Sequence, residues 1–437
     1  MLHIYLVFKN AVIIKIMIVL IKKKGFNMKK LLIIFVLFLF VFMCCGCLNK
    51  NKTKKYNTKN EFNIKLIKAT YKRENYLISP YSIEMALNML NEGANGNTKK
   101  QIEKVLPDRK IADVSIRNRV NIANALFIKD KYKSLIKKNF KITLVDKYDS
   151  EILYDEFKTP DTINNWVNKE TEGMIKKLLN NIEDEYVLGL ANAIAIDVEW
   201  SKQFECSDTK KESFTKANGK KINVEMMHNT YTTSDFKYLK TKDATGIIIP
   251  YLSYDSSTGK TVHESGRNLE FIGILPNDDV ESYIDSLTEK KISDLISSGK
   301  SADSSYEIQL SLPRFKYEYS VDDFKDALKS IGIKDLFNPE KANLTKIMKQ
   351  SDMEDNLYVG TAIHKTYIDL NETGTKAAAV TYFGVYKSSA MLPTEKEVVK
   401  INFNKPFIYM IRDQKTKEVL FFGTVYEPNL WNGTTCK

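Results

Sequence analysis

Residues able to do chemistry are sparse in this 437-residue chain, and they do not assemble into a catalytic set. Its four histidines (3, 228, 263 and 364) lack the spacing of metal ligands. No Gly-x-Ser-x-Gly nucleophile elbow is present. Gly299-Lys300-Ser301 ends like a phosphate loop, but Asp294 stands where such a loop needs glycine. A hydrolase would lack its constellation, and no metal or cofactor is implied. What stands out is a stretch that could be acted upon, Glu372 to Met391. It follows a strand-like run, Thr366 to Leu370, and another begins near Val398. Loops this long inside compact domains are usually functional or disordered. Thr375, Ala377, Ala379, Thr381, Phe383 and Val385 would share one face of a strand. Lys376, Ala378, Val380, Tyr382 and Gly384 would share the other. The first part of the inner face is small and uncharged. Ala377 to Ala379 favour helix, whereas Val380 to Tyr382 favour strand; such a conflict marks a place where function overrides local preference. The stretch reads as an exposed loop that could become a strand.

The elements that would position this loop are legible on either side of it. Ser79-Pro80 opens a helix, serine capping and proline in the first turn. Ile83, Ala86, Leu87 and Leu90 give it one apolar stripe, and Gly93 ends it. Leu188 to Ile196 is almost continuously apolar, as expected of a strand buried on both faces.

Bulk properties narrow the class. Hydrophobic content of 43% and 11% aromatic residues suffice for a core. The formal charge of +12 would suggest a nucleic-acid partner, but residues 1–60 hold twelve lysines and no acids. Residues 61–437 are therefore balanced, unlike a DNA- or RNA-binding domain. Lys29-Lys30, the apolar run Leu31 to Met43 and Cys44-Cys45-Gly46-Cys47 form a secretory signal. Gly46 before Cys47 resembles a lipoprotein box, with Cys47 lipid-modified and the new N-terminus. An uncleaved anchor and a soluble product are the alternatives. Met28 is a candidate true start. Residues 1–47 are thus read as leader, 48–62 as a polar tether, 63–431 as the folded domain and 432–437 as a tail. Cys206 and Cys436, the remaining cysteines, are expected as free thiols, although one bridge between them could form in an exported protein.

Eleven segments in register carry a resemblance. They begin with Asn75 to Ala94, whose Ser-Pro-x-Ser-Ile start runs into Leu-x-x-Gly-Ala-x-Gly-x-Thr. Ile122-Ala-Asn-Ala-Leu-Phe127, Ile163-Asn-Asn-Trp-Val167 with Thr171-Glu-Gly-Met-Ile175, and Leu190-Ala-Asn-Ala-Ile194 through Trp200 follow. Glu225-Met-Met227, Ile249-Pro-Tyr251, Ile274-Leu-Pro276 and Leu312-Pro-Arg-Phe-Lys316 come next. Last are His364-Lys365, Phe403-Asn-Lys-Pro-Phe407 and Leu420 to Pro428. Together they resemble the serpins over about residues 63–430.

The resemblance implies an α+β serpin fold with three β-sheets, about eight to nine helices and an exposed reactive-centre loop, about residues 372–397. It implies a suicide inhibitor of serine endopeptidases, not an enzyme: the loop is cleaved, an acyl-enzyme forms, and the loop inserts into the central sheet. Glu372, Gly374, Thr375, Ala377, Ala378, Ala379 and Thr381 match the hinge, with Gly374 letting the chain fold over. Lys376 replaces the usual glutamate at an outward position, where little effect is expected. Ser79, Ser82, Asn192 and His364 match a hydrogen-bonded shutter beneath the sheet. Trp200 matches the breach where the loop enters, and Arg314 with Glu372 an ion pair there, locally no more than a modest surface pair. Counting from Glu372 puts the reactive bond between Ser388 and Ser389; Lys387-Ser388 is the alternative, suited to a trypsin-like pocket. A subtilisin- or elastase-like protease fits Ser388 better. The implied protein is a monomer, exported, at the extracellular face of the membrane through its leader or lipid, or secreted. A non-inhibitory serpin acting as a binding or chaperone-like module is the rival. Asn371-Glu372-Thr373 is a glycosylation sequon by pattern, expected to stay unmodified because a strand leading to the hinge holds it.

Overall fold

The computed structural model describes residues 58–262, 266–303, 305–321, 324–348, 356–375 and 397–428. The chain divides into two compact units, residues 1–55 and 56–437, and every described residue belongs to the second. Helix α1 (Lys59–Thr70) starts inside the segment read as tether: Thr58 caps it by accepting from the Glu61 amide, and Phe62 is already fully buried. Polar composition hid a helix whose apolar residues all face inward.

A central sheet occurs in two parts. One runs β13 (Phe315–Val321), β14 (His364–Leu370), β15 (Gly374–Thr375) and β5 (Val198–Glu199); the other runs β3 (Ser150–Asp155), β2 (Val120–Lys129) and β4 (Leu188–Ile196). Only Asp197 separates β4 from β5, so the parts are one sheet opened along its length. A second sheet of seven strands has the order β1 (Tyr76–Ile78), β18 (Val419–Val425), β17 (Phe407–Asp413), β10 (Leu269–Pro276), β9 (Ala244–Pro250), β8 (Lys237–Lys240) and β11 (Lys300–Ser301). A third has the order β16 (Glu397–Asn402), β12 (Tyr306–Pro313), β7 (Lys221–Tyr231) and β6 (Lys210–Thr215).

Eight α-helices are described. Helix α2 (Pro80–Gly93) packs against both β4 and β18, between the central sheet and the seven-stranded one. Burial on several sides explains why Tyr81, Met85 and Met89 are buried as well as the expected Ile83 and Leu87. The others are α3 (Gly96–Val105), α4 (Lys138–Tyr148), α5 (Asp161–Glu170), α6 (Val280–Asp285), α7 (Glu289–Ser297) and α8 (Phe324–Ser330).

Strand alternation divides the core. Leu126, Ile128, Ile194, Ile196, Ile368 and Leu370 face the main cluster. Ala125, Phe127 and Ala193 face a second cluster that includes Ile163, Trp166 and Val167 of α5. Residues 188–192 of β4 are only half-buried, contrary to the sequence reading, while 193–196 are buried. The reason is topological: β4 pairs with β2 on one side, and no ladder joins it to β14 on the other among the described residues. Cys206 is disulfide-bonded, correcting the free-thiol expectation; Cys436 lies outside the described residues.

Candidate functional site

The site is built where the two parts of the central sheet meet. After β14 the chain makes a tight turn at Asn371, whose Oδ1 accepts from the amides of Thr373 (3.0 Å) and Gly374 (3.3 Å). The sequon asparagine thus sits in the turn, not in the strand, with its side chain already engaged. Gly374 and Thr375 form β15, with Leu370 opposite Thr375 on one side. Glu199 and Val198 lie opposite Gly374 and Thr375 on the other. Two residues of the hinge therefore already bridge the sheet. Gly374 is required here by close approach, not by a left-handed turn: a Cβ would lie 2.0 Å from the Val198 carbonyl oxygen, and its φ is not positive.

Thr375 is 2% exposed, and its Oγ1 lies 2.6 Å from the Tyr251 hydroxyl. Burial pushes the Tyr251 pKa far upward, so the phenol keeps its proton. Tyr251 stacks on Trp200 at 4.4 Å between ring centroids and 10° between planes. Trp200 donates its indole N–H to the Asn371 carbonyl and its backbone N–H to the Thr373 carbonyl, both at 2.9 Å. Trp200 thus holds the turn that leads from β14 into β15.

Glu372 is 3% exposed. Its Oε2 accepts from Arg314 at 2.6 Å and its Oε1 from the Thr209 hydroxyl at 2.6 Å. Its carbonyl also takes the Phe204 amide at 3.0 Å. The surface-pair reading is corrected: this pair is buried, with both side chains 4% exposed. Sequence reasoning missed Tyr251, Thr209 and Phe204 as hinge partners. Only the segment Ile249-Pro-Tyr251 gave any sign of the first.

The four shutter residues do not form one hydrogen-bonded group. Ser79 caps α2, its Oγ accepting from the Ser82 amide at 3.1 Å, as the local capping account requires. The Ser79 amide donates to His364 Nε2 at 3.0 Å. Asn192 instead donates to Asn124 Oδ1 at 2.8 Å, and its own Oδ1 is buried with no hydrogen-bond partner among the described residues. His364 lies on β14 and Asn192 on β4, which lack a shared ladder. The open line between the two strands separates them.

Burial lowers the His364 pKa to about 4. The imidazole is therefore neutral, as an acceptor at Nε2 must be. Because the folded value lies below the unfolded value of about 6.5, stability is fully present above that pH. It falls as pH drops from about 6.5 toward 4, by an order of about 3 kcal/mol. Urea midpoints across this window should show that slope, and His364→Gln should flatten it; an unchanged slope would remove His364 as its source.

Below Thr375 the gap holds a cavity of only about 10 Å3, lined in part by Ile194, Ile196, Ile368, Thr375 and Phe421. That is about the space of one water molecule. Continued without a bulge, the register of β15 would place residues 377, 379 and 381 opposite Ile368, Thr366 and His364. On the other side it would place them opposite Ile196, Ile194 and Asn192. On that register, position 377 would meet the small cavity and position 381 would fall between His364 and Asn192. Ala377, Ala378, Ala379 and Thr381 themselves lie outside the described residues, as do Lys387, Ser388, Ser389 and Cys47.

A protein-family model described as serpin (serine protease inhibitor) matches residues 57–428. An uncharacterized serpin-like protein of Methanosarcina mazei is 30% identical over 383 residues, 83% of each chain. Mouse glia-derived nexin is 30% identical over 378 residues, 81% of this chain and 88% of that protein. The crystal structure of the thermophilic serpin tengpin in its native state superposes with a TM-score of 0.70 at 34% identity. The match covers 86% of this chain and 95% of that one.

Proposed function

The chain belongs to the serpin family, and from that premise we propose that it is a suicide inhibitor of serine endopeptidases. The family supports protease inhibition in general. The observation that carries the finer reading is Thr375, the first inward residue of the hinge, already seated between β14 and β5. The line between β14 and β4 stays unjoined below it among the described residues. Small residues follow at 377 and 379 in the sequence, matching the small space that continued register assigns to the first of them.

In this reading a protease serine attacks the carbonyl of Ser388, or of Lys387 in the alternative. The peptide C–N bond breaks, the new amine takes a proton, and an acyl-enzyme remains. Entry of the following hinge residues adds main-chain hydrogen bonds on both sides, and the attached protease is carried away before water completes the cycle. The protein acts as a monomer that is exported, and it is held at the outer membrane face through the leader or a lipid on Cys47, or is secreted.

Elastase-like, subtilisin-like and trypsin-like enzymes, each mixed with the purified chain, test this reading. The expected result is an SDS-stable complex with at least one of them and release of a peptide beginning at Ser389. Loop cleavage with no complex and no gain in thermal stability would overturn it in favour of a binding module.

A further inference from the structure

Helix α4 carries apolar side chains on two sides, and only one side is covered. Phe140 and Leu144 turn into the core, 3% and 0% exposed. Ile142 and Val145, neighbours one turn apart on the helix surface, are 43% and 45% exposed. Only two other large apolar side chains among the described residues, Tyr358 and Val398, are comparably open to water. Beside them Ile152 and Tyr154 share one face of β3, an edge strand of its part of the central sheet. Together with the segment that leads into α4, these elements line a cavity of about 840 Å3. A cavity of that size with an apolar floor suits a small molecule.

The rim is basic. Lys133, Lys137, Lys138 and Lys141 line the cavity against a single acid, Asp146. Lys137 gives its ammonium group to the Thr345 carbonyl at 2.5 Å. The ammonium groups of Lys133 and Lys141 instead lie 4.3 Å and 6.0 Å from the centre of one ring, that of Tyr154. An aromatic face attracts cations, but two of them gathered at one ring repel each other. No carboxylate pairs with either lysine among the described residues. We propose that this cleft binds an anionic amphiphile of the fatty-acid class, its carboxylate between Lys133 and Lys141 and its chain along Ile142, Val145 and Ile152. The carboxylate would relieve the repulsion of the two ammonium groups, and the chain would take the open side of α4 out of water. Exposed apolar residues and surface lysines are each ordinary when scattered. Their meeting in one concave site selects a ligand that carries both chemistries. A polyanion would satisfy the rim and leave the floor wet; a neutral lipid would do the reverse. The site shares no residue with the hinge, so it stands or falls apart from the inhibitor reading.

Isothermal titration of the full chain with dodecanoate, kept below its micelle concentration, tests the site. A single saturable site should appear, and shortening the ligand to decanoate should weaken it by about tenfold. Dodecanol and inorganic phosphate, each carrying one part of the chemistry, should bind more weakly than dodecanoate by about tenfold or more. The Lys133→Gln/Lys141→Gln double variant should lose about tenfold in affinity for dodecanoate, together with most of its salt dependence. Val145→Glu should abolish binding while melting with wild type, because Val145 is 45% exposed. Dodecanol binding as tightly as dodecanoate, or undiminished affinity in the lysine variant, would overturn the proposal. So would the absence of saturable binding, or binding only to vesicles of anionic phospholipid, which would mark a surface for membranes instead of a site for one molecule.

Discussion

Thr375→Arg turns the inhibitor into a substrate. Thr375 is packed against the core with its hydroxyl on Tyr251, and the backbone of Val198 and Leu370 flanks it. A guanidinium there would have to shed its water without a carboxylate partner, a penalty of several kcal/mol. The hinge would leave the sheet, and each later residue would have to enter past that charge. The protease still cuts the loop, but water reaches the acyl-enzyme before the strand is home. Complex yield should fall by about 100-fold, the equivalent of roughly 3 kcal/mol, while the rate of loop cleavage holds. Gel analysis of SDS-stable complex against cleaved protein measures both quantities, and an undiminished complex band would mean that the hinge does not insert.

The second large effect concerns Glu372 and Arg314. Either residue changed alone to alanine removes the counter-charge of a buried partner, which costs about 3–5 kcal/mol. Glu372 also anchors Thr209, so its loss takes an acceptor from both Arg314 and Thr209. Replacing both charges together, as Glu372→Leu with Arg314→Met, should recover much of the loss, because the desolvation of both ions disappears with them. Urea denaturation of the uncleaved protein gives the four values of the cycle. Singles that cost less than about 1 kcal/mol, the range of exposed pairs, would return the pair to the surface-like class.

What the chain reveals before folding follows the reach of each signal. The cap at Ser79 and the strand at Leu188 to Ile196 are local patterns, and the fold contains both; of the alternation after Glu372 only Gly374 and Thr375 fall among the described residues. Glu372 and Arg314 were paired through family resemblance, but their burial depends on Phe204 and Thr209 closing over them. No spacing announces that closure. At Gly374 the backbone contact with Val198 is a cross-strand fact, invisible along the chain. The same holds for Asn192, whose partner Asn124 comes from the neighbouring strand. Register, more than residue type, was the missing quantity.

The bridge at Thr375 joins the two parts of the sheet at one end among the described residues, which in the proposed insertion would give strand entry a direction. Residues would then take their places in sequence, starting next to Thr375 and finishing between His364 and Asn192. Such entry would be processive, not concerted. Early positions then govern how fast the race against water is run, because they act before the slowest step is passed. Late positions act after the outcome is decided. The oxygen of Asn192 that lacks a donor in the resting sheet belongs to this late group, so changes around it should set how long a finished complex lasts and leave its rate of formation alone.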